Sequence, residues 1–174
     1  IIPSSVWAAF LGIYLAEGYC DGTRGGKVGN RVGISQKKEE NLEQIKLLLD
    51  QLPWQFIYSG HTFLTNDKQL HDFLFPLGNS HNKYIPEYAK QWSQRLQRTM
   101  LDWMLFGDGK NTKDAHGIII NTYATTSIQL AKDVQEIMIK LGSSGTIIPY
   151  QPIDRLIEGR MILAENSHEL YLVH

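Results

Sequence analysis

Hydrophobic and polar positions repeat along this chain. The stretches at 10–18 (FLGIYLAEG) and 101–109 (LDWMLFGDG) are both apolar, helix-like runs that close on a small residue, an acid and a glycine. Ser4 and Ser5 read as N-caps of the first helix, and Gly18 and Gly109 as the glycines that stop the two helices. The Gly-rich segment 19–28 reads as a hairpin or strand. In 31–35, Val32 and Ile34 alternate with Arg31, Gly33 and Ser35, the pattern of a half-buried strand. A helix over 39–51 follows, then a hairpin from 54–59 and 62–65 around Gly60 and His61, and a short helix capped by Asp67 that ends near Gly78. The first half is therefore expected to run α-β-β-α-β-β-α. The second half repeats the order from about Ser93, with strands at 117–123, 145–150 and 161–173 and a helix at 126–141. No seventh element is expected after His174.

The apolar positions of the two later helices superpose. Ile45, Leu48, Leu49 and Leu52 match Val134, Ile137, Met138 and Leu141 at an offset of 89, and the terminal acids Glu17 and Asp108 lie 91 positions apart. That is the signature of an internal duplication. A carboxylate in the last helical turn faces the negative end of the macrodipole, at a cost of roughly 0.3–1 kcal/mol. Its recurrence at the duplication period marks these acids as placed for chemistry.

The pair resembles the LAGLIDADG homing endonucleases, whose signature is a helix ending in Asp/Glu-Gly. The segment from His81 to Glu87 (HNKYIPE) is similar to the Lys-x-Ile-Pro-Glu linker of intein-borne and phage-borne members. The resemblance implies an α+β fold of two pseudo-symmetric αββαββ(α) repeats, 1–78 and 92–174, joined by a linker at 79–91. The antiparallel sheets would form a DNA-binding saddle. It also implies that the motif helices pack side by side, bringing Glu17 and Asp108 together. Two carboxylates ~4 Å apart repel by roughly 4 kcal/mol at an effective dielectric of 20, and a hard divalent cation relieves that repulsion. The implied cofactor is Mg²⁺, with Mn²⁺ as a substitute, held by Glu17, Asp108 and the adjoining Gly18 and Gly109. Gly12, Ala16 and Gly107 supply the small residues for close helix approach. Trp103 stands where a small residue is common, which implies asymmetric packing.

Composition narrows the alternatives. At 174 residues with 43% hydrophobic content, the chain can bury one good core or two small fused ones. No apolar run approaches the ~18 residues of a membrane span. Ile1-Ile2-Pro3 is not the start of a signal peptide, and the missing initiator Met hints at a processed or excised segment. Cys20 is the single cysteine, which excludes an internal disulfide and a multi-cysteine zinc site and fits an intracellular location, cytoplasmic or organellar. The net charge is −1, yet the charges are segregated. Arg24, Lys27, Arg31, Lys37 and Lys38 cluster against Asp21, and Lys83, Lys90, Arg95 and Arg98 against Glu87. The helix at 39–51 and the tail are acidic. Such asymmetry produces a local DNA-facing field without a basic chain.

Arg24, Lys27, Asn30, Arg31, Ser35, Lys37, Lys113 and Asn121 are the expected DNA-contacting residues, as phosphate or groove donors. The family often places a basic or amide residue beside the metal, and Lys110 and Gln36 are the expected catalytic helpers, with Lys113 and Lys37 next to them. The leading expectation is a monomeric, Mg²⁺-dependent endonuclease that makes a staggered break in double-stranded DNA. An intron maturase is the RNA-processing alternative, and a DNA-binding module that has lost cleavage is the third. Both acids being present argues against the third.

Overall fold

The computed structural model describes the backbone of residues 1–24, 27–113, 119–150, 155–157, 160–162 and 170–173, and the side chains of 1–22, 29–110, 122–149 and 173. The chain is α+β. Its centre is the contact between α1 (Ser4–Glu17) and α5 (Gln94–Asp108). α1 is apolar around its whole circumference, and every residue from Ala8 to Leu15 is buried. α5 is amphipathic and buries Gln97, Met100, Leu101, Met104 and Gly107. Small residues set the approach: a Cβ on Gly12 would run into the Met100 carbonyl oxygen, and one on Gly107 would lie 2.7 Å from the Ala16 Cβ.

Each motif helix leads straight into a sheet. After α1 come β1 (Gly18–Cys20), the two-residue strands β2 (Thr23–Arg24) and β3 (Lys27–Val28), and β4 (Arg31–Ser35). Next are α2 (Glu39–Leu49), β5 (Ile57–Ser59), β6 (Thr62–Asn66) and α3 (Lys68–Leu74). A short helix α4 (Glu87–Lys90) precedes α5. Beyond α5 lie β7 (Gly109–Lys113), β8 (Ile119–Thr125), α6 (Ile128–Lys140) and β9 (Ile147–Tyr150). The last strands are β10 (Arg155–Ile157), β11 (Arg160–Ile162) and β12 (Leu170–Val173). The first four-stranded sheet has the order β1-β4-β6-β5, the second β7-β8-β12-β9, and all pairings are antiparallel. The two orders correspond strand for strand. Gly18 pairs with Ile34 in one sheet and Gly109 with Tyr123 in the other, so Ile34 and Tyr123 are equivalent positions.

Local signals hold where side chain and backbone agree. Gly60 (φ 56°) and His61 (φ 64°) both adopt positive φ in the β5–β6 turn, as a two-residue hairpin demands. Asp67 accepts a hydrogen bond from the Leu70 amide at 2.8 Å and caps α3.

Two expectations, the α1 cap and the exposure of Gly33, are corrected. Pro3 is the N-cap of α1, so Ser4 and Ser5 fall inside its first turn, where neither provides a side-chain cap. Gly18 and Gly109 do end the two helices, as expected, and are extended there (φ −84° and −79°). They are glycines for want of room: a Cβ on Gly18 would meet the Tyr14 ring, and one on Gly109 the Leu105 carbonyl. Gly33 is buried rather than exposed, because the Tyr19 ring lies over it with its Cζ 2.5 Å from where a Cβ would sit.

The core joins both halves, from Phe10 and Ile34 on one side to Met104 and Val134 on the other. Segment 79–91 is packed against α6. Buried Asp133 accepts from the Ile85 amide at 2.8 Å and from Lys90 at 2.6 Å, and Ser127 donates to the Lys83 carbonyl at 2.7 Å. No helix among the described residues is long and apolar enough to cross a membrane.

Candidate metal and nucleic-acid site

Glu17 and Asp108 end α1 and α5 at the same end of the helix contact, where a Cβ on Gly107 would lie 3.0 Å from Glu17 Cγ. Both acids line one cavity of about 360 Å³, together with Gly18, Lys83 and Tyr123. Gln36 is buried and donates to Glu17 Oε1 at 3.2 Å, while its own Oε1 accepts from the Lys38 amide at 2.8 Å. The amide is thus fixed at both ends and presents a donor to the carboxylate.

The cavity penalises charge. Burial, and then the neighbouring Glu17, raise the Asp108 carboxyl from its ordinary 3.8 to about 7, against the opposing pull of Lys83 and Lys38. Burial also raises Glu17, with Lys38, Lys83 and the Gln36 hydrogen bond acting the other way. The Lys83 ammonium is pushed down to about 8 by burial, although Asp108 and Glu17 favour its charged form. Tyr123, wholly enclosed, is raised by burial and then by the two acids, and its hydroxyl finds no partner among the described residues.

Two facing carboxylates that resist ionisation suit a cation between them. Among the described residues no group of three or more His, Cys, Asp or Glu side chains could hold a metal. The hard oxygens this cavity offers are those of the two carboxylates, next in sequence to the Gly18 and Gly109 carbonyls. That suits Mg²⁺, which is commonly bound by one or two carboxylates with water and phosphate oxygens completing its shell. The Gly18 carbonyl already accepts from Lys83 at 2.6 Å, leaving it one lone pair.

Other expected residues spread along the sheets. Asn30, Arg31 and Lys37 are exposed, with Arg31 Nε 3.8 Å from Asp21, and Ser35 shares a 3.3 Å hydrogen bond with Thr62. Lys110 is exposed on β7, opposite Thr122. Arg24 and Lys27 pair across β2–β3, and Lys113 and Asn121 lie on β7 and β8, but the side chains of these four lie outside the described residues.

The second basic cluster is corrected. Lys83 is only 4% exposed and Lys90 is neutralised by Asp133 and Glu136, so neither contributes to a basic surface.

Sequence reasoning missed Lys38, Asn41 and Tyr123 as site residues, and counted Lys83 only as part of the linker and of the second basic cluster. Lys38 and Asn41 reach across the halves to the end of α5, donating to Gly107 O at 3.4 Å and Phe106 O at 3.3 Å. The signal for two of them was an offset of 89: Asn41 stands where the second half has Leu130, and Tyr123 where the first has Ile34.

Residues 5–53 match the LAGLIDADG-like domain. A structure of mesophilic variants of the homing endonuclease I-DmoI superposes with a TM-score of 0.60 at 17% identity, covering 98% of this chain and 87% of that one. I-DmoI in complex with DNA and Ca gives 0.60 at 18% identity, covering 98% and 82%. The homing endonuclease I-WcaI bound to its DNA recognition sequence gives 0.54 at 11% identity, covering 99% and 76%. The fold is that of the LAGLIDADG homing endonucleases. Two curated proteins are also similar to this LAGLIDADG-fold chain. An ATP-dependent Clp protease proteolytic subunit of Chlamydomonas moewusii is 27% identical over 82% of the chain, and a DNA-directed RNA polymerase subunit beta C-terminal section of Stigeoclonium helveticum is 27% identical over 80%. The chain spans only 15% and 16% of the length of those two relatives.

Proposed function

We propose that this chain is a sequence-specific DNA endonuclease that makes a staggered double-strand break as a monomer of two LAGLIDADG repeats, 1–78 and 92–174, joined by the linker 79–91. The observation that carries this reading is the pair Glu17 and Asp108, brought to one cavity by the close contact of α1 and α5. In this reading the two carboxylates, with the Gly18 and Gly109 carbonyls beside them, hold Mg²⁺ or Mn²⁺. When bound, the ion lowers the pKa of a bound water and offsets the charge that builds on the phosphate. Gln36 fixes the Glu17 carboxylate through its 3.2 Å hydrogen bond. Lys110, exposed one residue beyond Gly109, steadies the phosphate or the departing 3′-oxygen. Arg24, Lys27, Asn30, Arg31, Ser35, Lys37, Lys113 and Asn121 contact double-stranded DNA.

The curated relatives support a mobile insert. A peptidase subunit and a polymerase subunit share no chemistry, yet both match this chain over about a sixth of their length. A segment shared in that way is separable from either activity. Its presence within both polypeptides favours an intein-borne origin over an intron-encoded maturase. The deciding experiment is a cleavage screen of a randomised duplex library with Mg²⁺, sequencing the cut ends. Recovery of one recognition sequence with a fixed overhang is expected, and no cutting with Mg²⁺ or Mn²⁺ would reject the reading.

A further inference from the structure

Lys83 is a buried cation with no carboxylate among the described residues hydrogen-bonded to it. Its ammonium donates to the carbonyls of Tyr14 (2.9 Å), Leu15 (3.0 Å) and Gly18 (2.6 Å), which uses all three of its donors on the last turn of α1. It also sits 5.2 Å from the centre of the Tyr14 ring. Burying an ammonium is expensive unless opposite charge surrounds it. Here that charge is the negative end of the α1 dipole together with the two acids that line the same cavity. The lysine is held from behind as well, because its carbonyl accepts from Ser127, whose hydroxyl oxygen also caps α6 through the Leu130 amide at 3.2 Å.

The end of α5 is served differently. Its carbonyls receive the longer contacts of Lys38 and Asn41, from the N-terminal end of α2, and Lys38 is exposed to solvent. Only Lys83, among the described residues, brings a fully buried positive charge to the acid pair.

We propose that Lys83 is a built-in counter-ion and positioning residue of the Glu17–Asp108 site. It caps the helix that presents Glu17, and it offsets the paired carboxylates so that the DNA-free protein binds divalent cations weakly. This rests on the acids forming a divalent-cation site. A cap alone and a counter-ion make opposite predictions. Loss of a cap loosens Glu17 and weakens metal binding. Loss of a neighbouring positive charge deepens the negative potential and tightens it, because a dication gains more from that potential than a competing proton does.

The test is Mn²⁺ titration by calorimetry at pH 7, without DNA, on the full chain, its Lys83→Met variant and its Lys83→Gln variant. Gln keeps hydrogen-bond donors without charge and protects the test against misfolding of the Met variant. A melting temperature lowered by several degrees and an Mn²⁺ Kd at least tenfold tighter are expected, the gain in affinity vanishing when Glu17→Gln is added. An unchanged or weaker Kd in a folded variant reduces Lys83 to a structural cap and overturns the proposal, as does failure of both variants to fold. Absence of Mn²⁺ binding in all three proteins overturns the metal site and the counter-ion together. Failure of the wild type to cut DNA while Lys83→Met binds Mn²⁺ more tightly removes the nuclease reading alone.

Discussion

Gly12 and Trp103 meet across the α1–α5 contact, with a Cβ on Gly12 reaching to 2.9 Å of Trp103 Cβ. The large side chain on α5 is accommodated by the missing one on α1, and near the acids the arrangement is reversed, with Gly107 of α5 facing Ala16 of α1. The two helices are thus keyed by unlike pairs, which fixes their register as well as their distance. Gly12→Ala must push α1 off the Met100 backbone. A loss of about 1–3 kcal/mol in urea unfolding is expected from overpacking, with cleavage falling further than stability because the acids move apart.

Glu17→Gln and Asp108→Asn keep side-chain size and remove charge. Each is expected to abolish double-strand cleavage, by at least 100-fold, while duplex affinity stays within a few-fold or rises as repulsion of phosphate is relieved. Gel-shift and cleavage assays on one cognate duplex check both. Ca²⁺ is expected to support binding with little cutting, since it takes a looser coordination shell than Mg²⁺.

The shift of Asp108 from 3.8 to about 7 has a signed consequence for the metal-free protein. Between those values the folded state binds a proton that the unfolded chain has released, so this group's contribution to stability falls as pH rises from about 4 to about 7. Glu17 moves in the same direction. Asp108→Asn removes the penalty. The melting temperature of the variant minus that of the wild type should therefore be small at pH 4 and grow by several degrees by pH 8. Addition of Mn²⁺ should shrink that difference at pH 8 by stabilising the wild type, and a difference flat with pH would count against a desolvated Asp108.

Asp133 is 1% exposed and gathers the Ile85 amide, Lys90 and Gln129 (2.9 Å) on its two oxygens. Asp133→Ala would leave the buried Ile85 amide without its acceptor and Lys90 with Glu136 alone. A loss of about 1–3 kcal/mol is expected, the usual cost of leaving a buried donor unsatisfied. Chemical denaturation of the variant measures it.

The sequence exposed what local physics decides. The unbroken apolar run of α1, the alternation around Val32 and Ile34, the Asp67 cap and the Gly60–His61 turn could each be read within a few residues, because the determinants lie inside the element itself. Glu17 and Asp108 were legible through duplication. What escaped depends on partners far along the chain. Lys83 and Lys90 counted as free positive charge because the atoms that absorb it, the Tyr14–Gly18 carbonyls and Asp133, lie more than 40 positions away. The glycines after the acids were legible as helix stops, but the crowding by Tyr14 and Leu105 that excludes a side chain there was not. Asn41 and Tyr123 looked like ordinary helix and strand residues, and only their mismatch with Leu130 and Ile34 set them apart.

The bracing of the helix ends is crossed. α5 is capped by Lys38 and Asn41 from the first half, and α1 by Lys83, whose backbone is tied to α6 of the second. Chimeras that exchange whole halves between relatives would therefore inherit one brace without its counterpart. A graft cut between 78 and 92 leaves α1 with open carbonyls unless the Lys83 segment travels with it and α6 still offers Ser127 and Asp133. Recombining halves on this scaffold is thus a matter of transplanting the braces together with the sheets.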